Sequence, residues 1–317
     1  MQNKPLVSVV LPVYNGEEFL AQSIQSVINQ TYTNWELIIV DDCSTDNSSK
    51  IAKDFALKDE RIRVTKNGEN LKLPASLNRG FENAKGEYYT WTSDDNEYYP
   101  EAFEKMVNFL ENNSYYGMVY AQINVEKDGI LQDYVWCDEA TTPNALLTLC
   151  VPGACFMYRK LIAQMVGKYD ESCFLNEDHD YWLRILLKTK IANLDEILYL
   201  YRLRKTSLTG SKAKEIKKGK IKLLRKYRKI YTTKFPNIKN KYKYELIFDN
   251  LIEKNISFKQ AKHEIPTKKF YKILKQEFVT CKNPEYLKYI CLLGFKYFIK
   301  ALLLVLKTKS RKTKDEF

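Results

Sequence analysis

An α/β fold built on parallel β-α-β units is what this 317-residue sequence predicts, from three observations. Short apolar, β-branched runs alternate with amphipathic helical stretches over the first two thirds of the chain. Pairs of aspartates stand where two of those runs end. Charge then divides the chain sharply into an acidic and a basic part. Residues 7–12 (VSVVLP) are apolar, β-branched and closed by proline, which suits a buried strand. Residues 17–29 follow, with Leu20, Ile24, Val27 and Ile28 at helical spacing. Residues 36–40 make a second buried strand closed by Asp41 and Asp42, and Ser44 to Asn47 offer N-cap candidates for a helix to Leu57. A strand at 61–65 and a helix at 74–84 come next. Gly86 punctuates, and residues 87–91 form a fourth strand ending at Ser93, Asp94 and Asp95.

Beyond this, residues 100–112 place Phe103, Met106, Val107 and Leu110 on one helical stripe. Residues 118–125 and 153–159 read as strands, Asp128 and Gly129 as a turn, 178–187 as a helix and 197–202 as the last strand. In parallel β-α-β sheets, ligands bind beyond the carboxyl ends of the strands. Asp41, Asp42, Asp94 and Asp95 all fall at such ends.

Composition is ordinary for a folded protein, with 45% hydrophobic and 13% aromatic residues. The seven cysteines never form a C-x-x-C pair, so neither a zinc site nor a disulfide framework is expected. The N-terminal residues lack the basic, apolar, small order of a secretory leader, and a reducing, cytoplasmic setting is expected. Residues 1–210 carry 21 basic and 30 acidic side chains, a balance of −9, whereas residues 211–317 carry 30 and 9, a balance of +21. Two functional regions are therefore expected, with a boundary near 210. An anionic membrane surface or a nucleic acid would each attract the basic part.

The turn after the first strand reads Pro12-Val13-Tyr14-Asn15-Gly16. It is not the glycine-rich G-x-G-x-x-G of a dinucleotide site, and no P-loop occurs elsewhere, which argues against a dehydrogenase or a P-loop kinase. Such a turn leaves room for a base or ribose but supplies no pyrophosphate cradle. Two plainer readings stay open here: Asp41, Asp42 and Asp46 as caps of the next helix, and Asp94 with Asp95 as a solvated acidic turn.

The segments VSVVLPVYNGEEFLAQSIQSVINQTYTNWELIIVDDCSTDNS, LPASLNRGFENAKGEYYTWTSDDN and NEDHDYWLRI occur in this order. Together they resemble the nucleotide-binding half of family 2 glycosyltransferases of the GT-A fold, over roughly residues 5–210. The resemblance implies a nucleotide-diphospho-sugar transferase fold, a Rossmann-like mixed sheet flanked by helices, with a basic, mainly helical C-terminal region. It also implies a metal-dependent, inverting enzyme. Such an enzyme moves a sugar from a nucleoside-diphosphate donor, UDP by family frequency, to a glycan or lipid-linked glycan hydroxyl in surface polysaccharide synthesis.

By the same resemblance Asp41 contacts the base, with Pro12, Tyr14 and Asn15 lining its pocket. Asp42, Asn78, Asp94, Arg202 and Arg204 belong to the nucleotide-sugar site. Asp95 is the ligand of Mn²⁺ or Mg²⁺, whose preference for hard oxygen donors suits a carboxylate on the donor diphosphate. Asp178 is the general base, favoured over Asp180 by the order E-D-x-D-x-W-x-R, and Glu177, His179 and Trp182 belong to the acceptor side. Plainer alternatives are a dipole partner at a helix start for Asp178 and a core position for Trp182. The chain departs from the family at two places. Ser93 stands where the first aspartate of a D-x-D element is usual, and Arg204 stands where many relatives carry a histidine. A guanidinium cannot ligate a metal, but it can clamp a diphosphate.

Residues 211–317 contain no motif tied to chemistry. Residues 286–306 are strongly apolar yet include Lys288, Lys296 and Lys300, which suits a helix in the membrane interface better than one that spans it. The alternative is a helix docked on the catalytic domain. Contact with an anionic membrane fits a lipid-linked acceptor at the inner face of the cell membrane, and no nucleic-acid partner is expected. A nucleotidyltransferase would require a glycine-rich basic loop after the first strand, which Pro12 to Gly16 is not. An inactive family member that binds glycan or a partner protein is the other alternative, kept open by Ser93 and Arg204.

Overall fold

The structure is a computed structural model, and it describes residues 4–134, 143–147 and 152–235. The helix expected at 286–306 lies outside the described residues. Its first strand, β1 (Val7–Val13), is buried along its whole length, which is why it reads as an uninterrupted apolar run. Then follow α1 (Leu20–Ile28), β2 (Trp35–Asp41), α2 (Ser48–Ala56), β3 (Ile62–Lys66), α3 (Leu73–Glu82) and β4 (Tyr88–Trp91). After them come β5 (Glu97–Tyr98), α4 (Ala102–Asn112), β6 (Tyr116–Lys127), β7 (Ile130–Tyr134), α5 (Pro143–Leu146), β8 (Phe156–Arg159) and α6 (Lys160–Val166). The described chain closes with α7 (Glu177–Leu186), β9 (Lys190–Arg202), α8 (Leu208–Ser211) and α9 (Ala213–Lys234).

The nine strands form one sheet in the order β3-β2-β1-β4-β8-β6-β9-β5, with β7 on β6. The β3, β2, β1 and β4 strands are mutually parallel, as the alternation of strands and helices requires. Beyond β4 the sheet becomes mixed: β8 is antiparallel to both β4 and β6, β9 is parallel to β6, and β5 is antiparallel to β9. The mixed sheet flanked by helices is the architecture expected of the chain. β1 lies between β2 and β4, so the loops leaving β1 and β2 and the turn leaving β4 open into one crevice at the carboxyl edge.

Two boundaries and one short strand differ from the sequence reading for identifiable reasons. The helix α1 begins at Leu20 and not at residue 17, because Glu17 is drawn into the loop before α2. Its carboxylate accepts from the Asn47 backbone at 2.9 Å and the Asn47 amide at 2.7 Å, while its own N–H donates to Asp46. The β9 strand starts at Lys190 and not at residue 197, since its first half also pairs with β6, in a ladder that carries three register shifts. Its polar Asn193, Asp195 and Glu196 conceal that pairing from an apolar pattern. The two-residue β5 is too short to have a pattern at all.

The core lies between β1, β2 and β6 and the helices α1 and α4, with Leu20, Ile24, Phe103, Met106 and Leu110 fully covered. On the sheet's other side α3 comes close to β1: a Cβ on Gly80 would lie 2.4 Å from Val10 Cγ1. Glu36, buried in β2, accepts from Ser8 at 2.6 Å and from the Lys85 backbone at 2.6 Å, and pairs with Arg63 at 2.5 Å, which satisfies its charge. One compact unit runs Met1–Tyr227, and a second begins at Arg228. The first takes in the start of α9, whose Tyr227 hydroxyl donates to Asp180 of α7 at 2.8 Å.

The approach of α3 to β1 generates a test. Gly80→Ala lowers stability by about 1–3 kcal/mol through overpacking, although alanine is the better helix former. In a Val10→Ala background the same substitution costs less, and thermal denaturation of the four proteins measures that coupling.

Candidate active site

The crevice begins at the end of β1. Pro12 and Val13 sit opposite Val40 and Asp41 in the ladder, so Pro12 and Asp41, both expected at the base, are aligned by sheet register. Tyr14, at 49% exposure, is the ring open to a ligand at this mouth. Asn15 takes a left-handed backbone, φ 55°. Its side-chain oxygen accepts from the Thr45 backbone at 2.9 Å, and its own N–H donates to Ser44 Oγ at 3.1 Å. Asn15 thus ties the β1 loop to the β2 loop and leaves Tyr14 at the rim.

Asp41 is fully buried, accepts from the Ser44 backbone at 2.8 Å and lies 3.3 Å from Lys66 Nζ. Burial opposes its charge, but hydrogen bonds from Ser44, Ser49 and Lys66 outweigh that and hold its carboxyl below the usual aspartate range. Asp42 differs in its surroundings. Its carboxylate accepts from Asn67 at 2.7 Å and from the backbones of Leu71 and Lys72 at 2.8 and 2.9 Å. It anchors the loop before α3, where Lys72 takes φ 74°. Asn78 is likewise committed to the protein, with both ends of its amide on the Tyr169 backbone at 3.0 and 2.7 Å. In both cases a polar residue expected at the nucleotide instead satisfies backbone groups that a buried loop leaves open.

Across β1, the turn after β4 brings up the second pair of aspartates. Gly16 lets Asp94 lie directly on the β1 loop, since a Cβ there would be 2.0 Å from Asp94 Oδ2. Burial, and then the neighbouring Asp95, push the Asp94 carboxyl up to about 7, with Arg204 pulling it back. Asp95 is buried. Its Oδ2 accepts from Arg204 Nη2 at 2.8 Å and Nε at 3.2 Å, and its carbonyl accepts from Arg202 Nη1 at 2.9 Å.

Arg202 also donates its backbone N–H to Asn96 at 2.8 Å and pairs with Glu97, and its Nε lies 3.3 Å from Glu126. With a side chain 10% exposed, Arg202 clamps the 95–97 turn from the end of β9 and is not open to a diphosphate. Arg204 is more exposed; it rests 4.9 Å from the Phe19 ring centre and 3.4 Å from Glu18. Glu18, Phe19 and Lys66 were not marked by sequence reasoning. The signal for the first two was their position in the loop that follows Tyr14.

Helix α7 supplies the third group. Leu175 takes φ 74° immediately before it, and Asn176 donates to the Ile216 carbonyl of α9 at 3.2 Å. Glu177 is buried, and burial followed by the adjacent Asp178 raises its carboxyl to about 8. Asp178 is half-buried, with Oδ1 2.6 Å from the His179 backbone N–H. His179 is buried with Nε2 2.7 Å from the Leu146 carbonyl, and burial lowers its pKa. Asp180 is fully buried and bound by Arg184 Nε and the Tyr227 hydroxyl, both at 2.8 Å. That removes it as a competitor of Asp178 for a solvent-facing role.

Trp182 is 0% exposed and packs edge-on against Phe156, 4.5 Å between ring centres. It is a core residue, so it offers no face to an acceptor. Tyr201 lies near the end of β9. Its phenol is raised by burial, and its hydroxyl lies 3.0 Å from Thr209 Oγ1.

Asp94 and Asp95 offer two adjacent carboxylates in one turn, hard oxygen donors of the kind that suits a divalent cation. A second acidic group, Asp170, Cys173 and Asp180, also has convergent ligand atoms. It suits such a cation less well, because one of its three donors is the soft sulfur of the half-buried Cys173, whose thiol is raised to about 11.

The family model described as Glycosyl transferase family 2 matches residues 8–166. Among similar proteins, the "Putative teichuronic acid biosynthesis glycosyltransferase TuaG" of Bacillus subtilis (strain 168) is 30% identical over 218 residues, covering 68% of this chain and 86% of its own length. The "Putative glycosyltransferase EpsE" of the same organism is 42% identical over 120 residues, covering 38% of this chain and 43% of its own, so the match spans less than half of that relative. Among solved structures, S. aureus TarS 1-349 in complex with UDP-GlcNAc superposes with a TM-score of 0.59 at 16% identity, over 84% of this chain and 78% of that one. At that identity the likeness establishes the fold, and it is the GT-A fold anticipated from the motifs. With the family model spanning β1 to α6 and the TuaG match extending further, the chain belongs to glycosyl transferase family 2.

Proposed function

We propose that this glycosyltransferase is an inverting enzyme. In this reading it moves a sugar from a UDP-linked donor onto a hydroxyl of a glycan or lipid-linked glycan in bacterial surface polysaccharide synthesis. One observation carries the reading: Asp41, which ends β2 opposite Val13 of β1, and Asp95, in the turn after β4 on the other edge of β1, stand together at the carboxyl edge where parallel strands receive ligands. The polysaccharide setting is supported by the name of TuaG, and the UDP-linked donor by the UDP-GlcNAc complex of TarS.

On this reading Asp41 accepts from the base, while Tyr14 and Pro12 line its pocket. Arg204 donates to the diphosphate, and Asp95, with Asp94 beside it, holds Mn²⁺ or Mg²⁺. When bound, the cation neutralises charge on the departing diphosphate. Asp178 takes the proton of the acceptor hydroxyl while that oxygen forms its bond to the anomeric carbon. The bond to the diphosphate oxygen breaks on the opposite face, so configuration inverts. Glu177, raised to about 8, keeps its proton at neutral pH and adds no second negative charge beside the base. Among the described residues no helix is long and apolar enough to cross a membrane. Peripheral contact at the inner face of the cell membrane, through the basic C-terminal region, is the location that suits a lipid-linked acceptor. The pairing of Arg204 with Asp95 favours one second reading, a member that binds glycan or a partner without turnover.

Release of nucleoside diphosphate from a panel of nucleotide sugars, with Mn²⁺ or with EDTA, separates the two. The enzyme hydrolyses one donor slowly, loses that activity with EDTA and in Asp95→Ala, and with acceptor loses about 10²–10⁴-fold in kcat in Asp178→Asn. Donor affinity in Asp178→Asn stays within about twofold, since the base does not touch the donor. Donor binding without release under every condition overturns the enzyme reading.

The pH dependence of folding tests the Glu177 assignment. Its folded pKa, about 8, lies above the ordinary 4.5, so the native state holds a proton that the unfolded chain has lost. Stability therefore falls as pH rises from about 4.5 to 8, by at most about 1.4 kcal/mol per pH unit. Glu177→Gln removes that slope in thermal denaturation followed across the window, whereas a slope identical to wild type contradicts the assignment.

A further inference from the structure

Arg204 does more than stand where relatives carry a histidine. Its guanidinium places two N–H groups on one oxygen of Asp95, Nη2 at 2.8 Å and Nε at 3.2 Å. That oxygen belongs to the carboxylate assigned to the divalent cation, and a cation and a guanidinium on the same oxygen repel each other. The pair is well sheltered, with side-chain exposures of 27% for Arg204 and 10% for Asp95, so solvent screens it only in part.

The main chain of Arg204 is fixed. Its carbonyl accepts from Ser207 Oγ at 2.8 Å, and Gly210 approaches so closely that a Cβ there would lie 2.2 Å from it. The side chain is therefore the part able to move, between Asp95, Glu18 at 3.4 Å and the Phe19 ring. Arg202, two residues earlier, is held by Asn96, Glu97 and the Asp95 carbonyl, so the 95–97 turn keeps its shape when Arg204 leaves it.

We propose that Arg204 is the resident counter-ion of Asp95 in the donor-free enzyme, competing there with the divalent cation, and that the donor diphosphate draws the guanidinium away. The cation then binds weakly alone and tightly with the donor. Because coupling between two ligands is reciprocal, the cation tightens donor binding by the same factor. The inference rests on Asp95 as the cation's ligand, but it does not require turnover.

The test titrates Mn²⁺ alone into the donor-free full chain, with free Mn²⁺ followed by electron paramagnetic resonance. Arg204→Gln and Arg204→His each bind Mn²⁺ at least tenfold more tightly than wild type, and Asp95→Asn abolishes that gain. Lys205→Gln, which removes a neighbouring exposed charge, changes Mn²⁺ affinity by less than twofold. The factor by which UDP tightens Mn²⁺ binding shrinks in Arg204→Gln. Unchanged affinity in both folded Arg204 variants overturns the proposal, and so does an equal gain in Lys205→Gln, which would mark a general field effect. Mn²⁺ binding to none of the proteins overturns it as well. Melting temperatures identify any variant that fails to fold, and the histidine variant stands in for the glutamine one. A protein inactive on every donor that still shows this Mn²⁺ pattern refutes the turnover reading and leaves this one intact.

Discussion

β1 is hydrogen-bonded to β2 on one edge and to β4 on the other, and the site follows from that position. Parallel strands on both edges place the loops after β1 and β2 and the turn after β4 at one height. The β1 ladder sets Val13 against Asp41, while Gly16 admits Asp94 from the other side. A strand buried on both faces has no latitude to slip, because a one-residue shift would turn its side chains to the wrong layers. The alignment of the two acidic pairs therefore starts from the sheet, and Gly16 and Arg202 complete it at the turn after β4.

Within that frame, the acidic residues divide by what already satisfies them. Asp42 and Asp180 are committed to protein donors and keep loops and helices in place. Asp41 is held charged by hydroxyls, an amide and Lys66, which suits a fixed acceptor facing a base. Asp94 and Glu177 are both pushed towards neutrality by burial and by a neighbouring aspartate. The two rises have different remedies: a cation can relieve the first, whereas the second leaves a proton in place beside Asp178. Identical residue types thus carry separate roles because desolvation and hydrogen bonding differ at each position.

The amino-acid sequence makes the parallel half of the sheet legible, because buried strands such as 7–12 and 36–40 are apolar throughout and end in the residues that meet a ligand. It also marks Asp95 and Asp178 through motif order. Commitment is what it leaves unreadable. Asn78 and Asp42 look like ligand-facing polar residues until the Tyr169 and Leu71 backbones arrive from 91 and 29 residues away. Trp182 follows the same logic in reverse: its helical spacing is equally compatible with a core ring or a sugar platform, and only the packing of Phe156 decides it. The polar first half of β9 escapes notice because Gln122 lies within 3.3 and 3.4 Å of Asn193 and Asp195, so polar pairing replaces apolar alternation.

Arg202 and Arg204 show why residue type alone does not fix a role. Both guanidinium groups lie 4.9 Å from the Phe19 ring centre, and both reach the turn that carries Asp95. Arg202 meets two carboxylates and a carbonyl, a set that more than offsets its charge and holds it in place. Arg204 meets Asp95, the carboxylate proposed for the cation, together with the largely exposed Glu18. A donor diphosphate offers Arg204 denser negative charge than either partner, whereas it offers Arg202 nothing that Glu97 and Glu126 do not already supply. The same side chain is thus scaffold at the end of β9 and exchangeable two residues later, and the difference lies in the partners each finds.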